Sequence, residues 1–169
     1  MGMRGAGHRF MPNRLVFPGG AVDQADRRAQ AATEPDPATL AMLGRNARPP
    51  LARALVAAAA RELEEETGLS FGHPPRLNTI RYLCRAVTPP RMHMRFNARF
   101  LVAAADGVEG EPADTRELES VRFYPVRQAL ALDLMEVTRE VLLRLQTFLA
   151  QPEGERELFV YKRNRWFSE

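Results

Sequence analysis

The stretch Arg61-Glu62-Leu63-Glu64-Glu65-Glu66-Thr67-Gly68-Leu69 decides how this chain is read, because its acids are placed as well as numerous. On a helix with about 100° between successive residues, Glu66 falls about 40° to one side of Glu62 and Glu65 about 60° to the other. Three carboxylates therefore share one arc, while Glu64 points elsewhere. Ala52, Val56, Ala59 and Leu63 gather beside that arc and predict a buried stripe. One face packs; its neighbour can hold a hard cation. Like charges at these spacings repel by about a few tenths of a kcal/mol per pair, so such a helix either faces bulk water or collects a divalent ion. For an arbitrary Glu-rich helix the solvated face is the commoner outcome.

Composition narrows the classes. With 169 residues and 45% hydrophobic content the chain can bury one core and is too short to expect two, so one domain over residues 1–169 is expected. No run of eighteen apolar residues and no charged-then-apolar leader ending in small residues occurs, which argues against a membrane span or secretion and for a cytoplasmic location. The one cysteine, Cys84, sits in the apolar context Tyr82-Leu83-Cys84 and reads as a buried, inert thiol. His8, His73 and His93 lack the spacing of a metal site. A net charge of +3 and a pI near 9.6 suit a polyanionic small molecule. No Lys/Arg run with interleaved aromatics is present, so nucleic acid is not the expected partner.

Arg61 to Leu69 matches every fixed position of the second half of the Nudix box, Arg-Glu-U-X-Glu-Glu-X-Gly-U with U aliphatic. Upstream, Phe17-Pro18-Gly19-Gly20-Ala21-Val22-Asp23-Gln24-Ala25-Asp26 resembles the first half. The resemblance implies a Nudix hydrolase: an α/β/α fold with a mixed β-sheet sandwiched between helices, and a loop-helix-loop that binds Mg²⁺ or Mn²⁺ and cleaves a diphosphate linked to a nucleoside. It implies Glu62, Glu65 and Glu66 as metal ligands, with Glu62 either a third ligand or the base for water. Arg61 is implied to fix a neighbouring carboxylate, and Gly19 and Gly20 to bring backbone close to phosphate or metal. Glu117, with Glu119 behind it, is the candidate for the further acid that many members supply from this region. The partner so implied is a small nucleoside-diphosphate-linked substrate; a homodimer is compatible with it, and a sensor domain that binds without catalysis is the rival class.

Two departures stand out. Asp26 replaces the family's first-half Glu, with Ala25 before it in place of Gly, which makes Asp26 a doubtful contributor. Residues 27–60 separate Asp26 from Arg61 where the family has seven, so residues 27–50 form an insertion. An insertion here is similar to that of the coenzyme A diphosphatase branch, and so is the spacing of Arg4-Gly5, Arg9, Asn13 and Phe17 ahead of Phe17-Pro18-Gly19-Gly20. That resemblance implies phosphate-gripping roles for Arg4 and Arg9, and coenzyme A or an acyl-coenzyme A as substrate.

The remaining elements are read from local pattern. Residues 1–14 show no strand-like alternation and leave hardly any room for an N-terminal strand, so either the start is placed late, which is the preferred reading, or the sheet is completed some other way. Residues 15–17 read as a strand ended by the Pro18-Gly19-Gly20 turn. The insertion reads as a surface excursion with local disorder and a short helix over 38–43. A helix is predicted over 51–67, stopped by Gly68. Strands follow over 77–87 and 95–104, with Phe96, Ala98, Phe100 and Val102 inward, joined by a hairpin whose Met92 and Met94 could meet an acyl arm. Residues 106–115 read as a loop and 117–124 as the entry to a strand. Helices are expected over 125–132 and 137–149, and the tail 151–169 either packs on a partner or stays loose.

Overall fold

The computed structural model describes residues 1–5, 12–91, 94–151 and 157–168. Strands β1 (Gly2–Arg4) and β2 (Leu15–Val16) join β5 (Leu118–Glu119) in a three-stranded antiparallel sheet with β1 in the middle. Strands β3 (Arg81–Val87), β4 (Asn97–Val102), β6 (Phe159–Lys162) and β7 (Arg165–Ser168) form a second sheet in the order β4-β3-β6-β7. It is mixed, since β3 and β6 run parallel while the outer pairs are antiparallel. The helices are α1 (Pro37–Gly44), α2 (Pro49–Thr67), α3 (Val126–Leu130) and α4 (Glu136–Ala150).

The four-stranded sheet lies between helices, as the family resemblance implied. Ala52, Val56, Ala57 and Ala60 of α2 share a buried cluster with Tyr82, Phe71 and Leu77, with Leu101 packed against it. Val141 and Phe148 of α4 share another with Leu83 and Cys84, bordered by Phe17, Phe100 and Trp166. Leu83 and Cys84 are adjacent in sequence yet face the same helix, because the register slips between Tyr82 and Cys84. Such a bulge turns one extra side chain to a face that simple alternation denies it.

The box helix forms as its period predicts, although it begins earlier, at Pro49. Proline lacks only an N–H that a first helical turn leaves unused, so Pro49-Pro50 opens α2 instead of ending the insertion. Gly68 closes it in the left-handed conformation, its N–H bonded to the Glu64 carbonyl. This rigid bar carries Glu62, Glu65 and Glu66 on its last two turns.

Three expectations are corrected. An N-terminal strand exists: Met3 pairs with Leu15 on one side and Glu119 on the other. Ladder bonds are made by backbone, so three residues suffice without an alternating pattern. Gly2 fits because a Cβ there would lie 2.8 Å from the Leu118 Cβ. The insertion is not a loose excursion. Leu43 is 2% exposed and joins the α2 core, Asp36 accepts a bond from the Thr39 N–H as the α1 cap, and Arg53 of α2 ties back to Glu34 and the Ala29 carbonyl. Nor is the tail loose: β6 and β7 complete the sheet, with Val160 buried against β3.

Smaller differences follow the same logic. Only 81–87 of the predicted 77–87 strand is extended, Leu77–Thr79 being a 3-10 turn, and the strand expected over 117–124 shrinks to two residues. Phe96 points outward, while Phe100 and Val102 pack toward α4.

Candidate active site

The acids of α2 meet the Gly19-Gly20 bend from below. The Gly19 N–H donates to Glu66 Oε2 at 2.8 Å, which pins the bend that follows β2 to the last turn of the helix. Gly20 sits directly over Glu62; a Cβ on it would lie 2.6 Å from Glu62 Cδ, so any side chain there would displace that carboxylate. Glu66 is 3% exposed, and the Glu117 carboxyl, on the segment before β5, lies close enough to act on it. Leu118 is opposite Arg4 on β1, so the three-stranded sheet is what delivers Glu117 to the helix. Thr115, whose hydroxyl donates to the Glu66 carbonyl, anchors that segment.

Electrostatics follow from this crowding. Burial pushes the Glu66 carboxyl up to about 7, against the pull of the Gly19 N–H, and the Glu117 carboxyl and the Glu62 charge push the same way. Burial likewise raises Glu62, opposed by Arg61 and reinforced by Glu65 and Glu117. Glu62, Glu66 and Glu117 are thus held closer together than their charges favour.

Arg61 organises the other side. Its Nε and Nη2 bond the two Asp26 oxygens at 3.0 Å each, and Nη1 bonds Glu62 at 2.7 Å and Glu65 at 2.8 Å. Nη2 also donates to the Ala21 carbonyl. These bonds, Asp26 first, raise the affinity of Arg61 for its proton. Burial opposes ionisation of Asp26, which is 2% exposed, but the Arg61 bonds and the Asp23 N–H outweigh it and hold the carboxyl below the usual aspartate range.

The structure therefore brings Glu62, Glu66, Gly19, Gly20 and Glu117 to one place. Glu65 stands apart, more than half exposed and turned onto Arg61. Arg4 lies on β1 one residue across from Glu117's neighbour, and Arg9 is outside the described residues. His73 is exposed beside Glu64, while His8, His93 and Met92 are outside the described residues. Cys84 is fully buried, and Met94 is exposed. Asp26, judged doubtful from sequence, is the buried anchor of Arg61; its place in the box was the signal, and its shorter side chain hid it.

An all-oxygen set of crowded carboxylates with a raised carboxyl at its centre suits a hard divalent cation in donor chemistry. As the side chains stand, no three His, Cys, Asp or Glu residues among the described residues converge on one point. The reason is visible: Arg61 draws Glu62 and Glu65 to itself, and Gly19 holds one oxygen of Glu66.

A NUDIX domain model matches residues 52–145, more than half of the chain. No curated protein matches. The crystal structure of a NUDIX hydrolase from Alicyclobacillus acidocaldarius superposes with a TM-score of 0.66, covering 91% of this chain and 84% of that one at 24% identity. That likeness speaks to the fold, and among the described residues no helix is long and apolar enough to cross a membrane. With the box helix, its glycine bend and the sheet around them in place, the chain belongs to the Nudix family, whose members are hydrolases of pyrophosphate bonds.

Proposed function

We propose that this chain, acting as one domain, hydrolyses a nucleoside-diphosphate-linked substrate at the carboxylates of α2. The observation that carries the reading is the crowding of Glu62, Glu66 and Glu117 beneath the Gly19-Gly20 bend. Glu66, with Glu65 once it leaves Arg61, would hold Mg²⁺ or Mn²⁺, with Glu117 adding a donor and Glu62 either a third ligand or the base for water. When bound, such an ion offsets negative charge on the phosphate oxygens and lowers the pKa of attacking water. Glu62 is the candidate to accept the water's proton, being partly buried, raised by its surroundings and next to Glu66. Arg61, anchored by Asp26, positions Glu62 and Glu65. The exposed Gly19-Gly20 backbone leaves room for a diphosphate to approach the helix end.

Among substrates we favour coenzyme A or an acyl-coenzyme A, split to 3′,5′-ADP and a phosphopantetheine product. Its support is the insertion inside the box and the spacing of Arg4, Asn13 and Phe17 before the glycine bend. ADP-ribose, NADH and nucleotide sugars rank below it.

The test is a panel of coenzyme A, acetyl-coenzyme A, ADP-ribose and NADH, each with Mg²⁺, with Mn²⁺ and with chelator, and products identified by mass. Metal-dependent release of 3′,5′-ADP, lost in Glu66→Gln, supports the proposal. Cleavage of ADP-ribose or NADH alone would keep the chemistry and discard the substrate. Metal-independent binding without any phosphorus-containing product would replace catalysis with ligand sensing.

A further inference from the structure

The four-stranded sheet and its connections carry eight of the chain's 24 Lys and Arg and none of its 21 Asp and Glu, over residues 81–102 and 159–168. The cations are scattered in sequence and meet only through pairing. Arg99 is the cross-strand partner of Arg85, Arg85 of Val160, and Lys162 of Arg165. Alternation along β6 then places Arg99, Arg85, Lys162 and Arg165 on one face, in a row crossing all four strands. Tyr161 and Trp166 take the opposite face, where Glu136 and Glu140 of α4 bond them. The Lys162–Arg165 pair lies directly across a ladder, an arrangement that costs stability unless negative charge offsets it.

At the end of this row lies a small slot between the β3–β4 hairpin and the β6–β7 turn. Its volume is about 170 Å³, with Val87, Pro89 and Pro90 as apolar walls and Arg95, Lys162 and Arg163 around them. The hairpin wall is tied across its base, since the Thr88 N–H donates to the Phe96 carbonyl and the Thr88 hydroxyl accepts from the Phe96 N–H. The turn is built at some conformational expense. Arg163 and Asn164 both have positive φ, 53° and 58°, as a two-residue turn of this hand needs, and arginine is a poor choice for its first position. Strain of this kind is kept where a side chain must be aimed. Glu136 accepts a bond from Asn164 of the turn on the α4 side. Lys162 lies on the other face, its Nζ over the Phe167 ring at 4.9 Å.

We infer that this slot is a second binding site, separate from the carboxylate site, for a small organic phosphate: one ring-sized apolar group between the proline wall and the turn, and its phosphate held by Arg95, Lys162 and Arg163. Apolar walls select a carbon body, and three cations beside them select a phosphate over a neutral head. Its elements are β3, β4, β6 and β7, none of which carries Glu62, Glu66 or Glu117, so the inference does not rest on the hydrolase reading.

Adenosine 5′-monophosphate is the probe, titrated calorimetrically in chelator at low salt, with adenosine and inorganic phosphate as its two halves. The expected result is binding by the unaltered protein and by Glu66→Gln alike, at least about tenfold tighter than either half. Binding should weaken at least about tenfold in the double variant Lys162→Gln/Arg163→Gln, and in Arg95→Gln, which keeps the test open should the turn variant fail to fold. The inference is overturned if the nucleotide binds no tighter than phosphate, if binding survives both sets of substitutions, or if it disappears in Glu66→Gln. Tighter binding of a ten-residue single-stranded oligonucleotide than of the nucleotide, lost through the same substitutions, would also overturn it and assign the cationic face to nucleic acid.

Discussion

Arg61 divides one guanidinium among three carboxylates, and the buried one decides where the others stand. Asp26 is a bidentate partner at 3.0 Å and is 2% exposed. Replacing it by Asn keeps the shape and removes the charge, which should cost about 2 kcal/mol in urea unfolding. The sign of the pH dependence follows from the depressed carboxyl. Its contribution is present above the unfolded aspartate pKa, about 4, and is lost as pH falls through the lower folded value. The gap between Asp26→Asn and the unaltered protein should therefore close on acidification from pH 5 toward pH 2, and a gap constant over that range refutes the pairing. Gly20 makes a different prediction. It is exposed, and the three atoms nearest an added Cβ are all in the Glu62 carboxylate. Gly20→Ala should leave the unfolding midpoint nearly unchanged, within about 0.5 kcal/mol, yet lower kcat on the best substrate by at least about tenfold, by turning Glu62 aside.

Among elements, α2 was legible in advance because a nineteen-residue helix repeats its period several times and ends on a glycine. The same reading gave its acid arc and a carboxylate for Arg61 to fix, but not that buried Asp26 would be its bidentate partner; such a choice depends on where a distant loop lands. Strand β1 was invisible because three residues in a central position need no pattern. The insertion was misread for a related reason: its prolines and polar residues resemble a loop, and only Leu43, sitting on α1 at the right turn, shows that the helix docks. The docking makes a measurable claim. Leu43 is buried among Ala52, Val56 and Tyr82, so Leu43→Ala should cost about 3 kcal/mol. A surface excursion would give less than about 0.5 kcal/mol. Thermal or urea melts of the pair of proteins separate the two.

For the whole molecule, the sequence revealed hydrophobic content and overall charge but not their distribution, since the cationic face is assembled from β3, β4, β6 and β7 across the length of the chain. The tail's contribution was hidden likewise: Phe159 and Trp166 stand among charges in the sequence and find their place only once β6 pairs with β3. Their joining closes the core around Cys84, which is fully buried between the sheet and α4. Burial pushes its thiol up to about 12, with the Arg144 charge pulling weakly the other way. The raised folded value means that keeping the thiol neutral stabilises the fold below the unfolded pKa, about 8.5, and that this contribution is lost as pH rises from there toward 12. At pH 8 the folded protein should hold only about one thiolate in ten thousand molecules, on top of having no exposed sulfur. Labelling by a thiol-exchange chromophore at pH 8 should therefore track global unfolding: negligible in buffer, complete in strong urea, and rising along the same transition as the far-ultraviolet circular dichroism. Rapid labelling in buffer would mean that β6 and β7 open independently of the rest, and that the sheet does not enclose this residue as described.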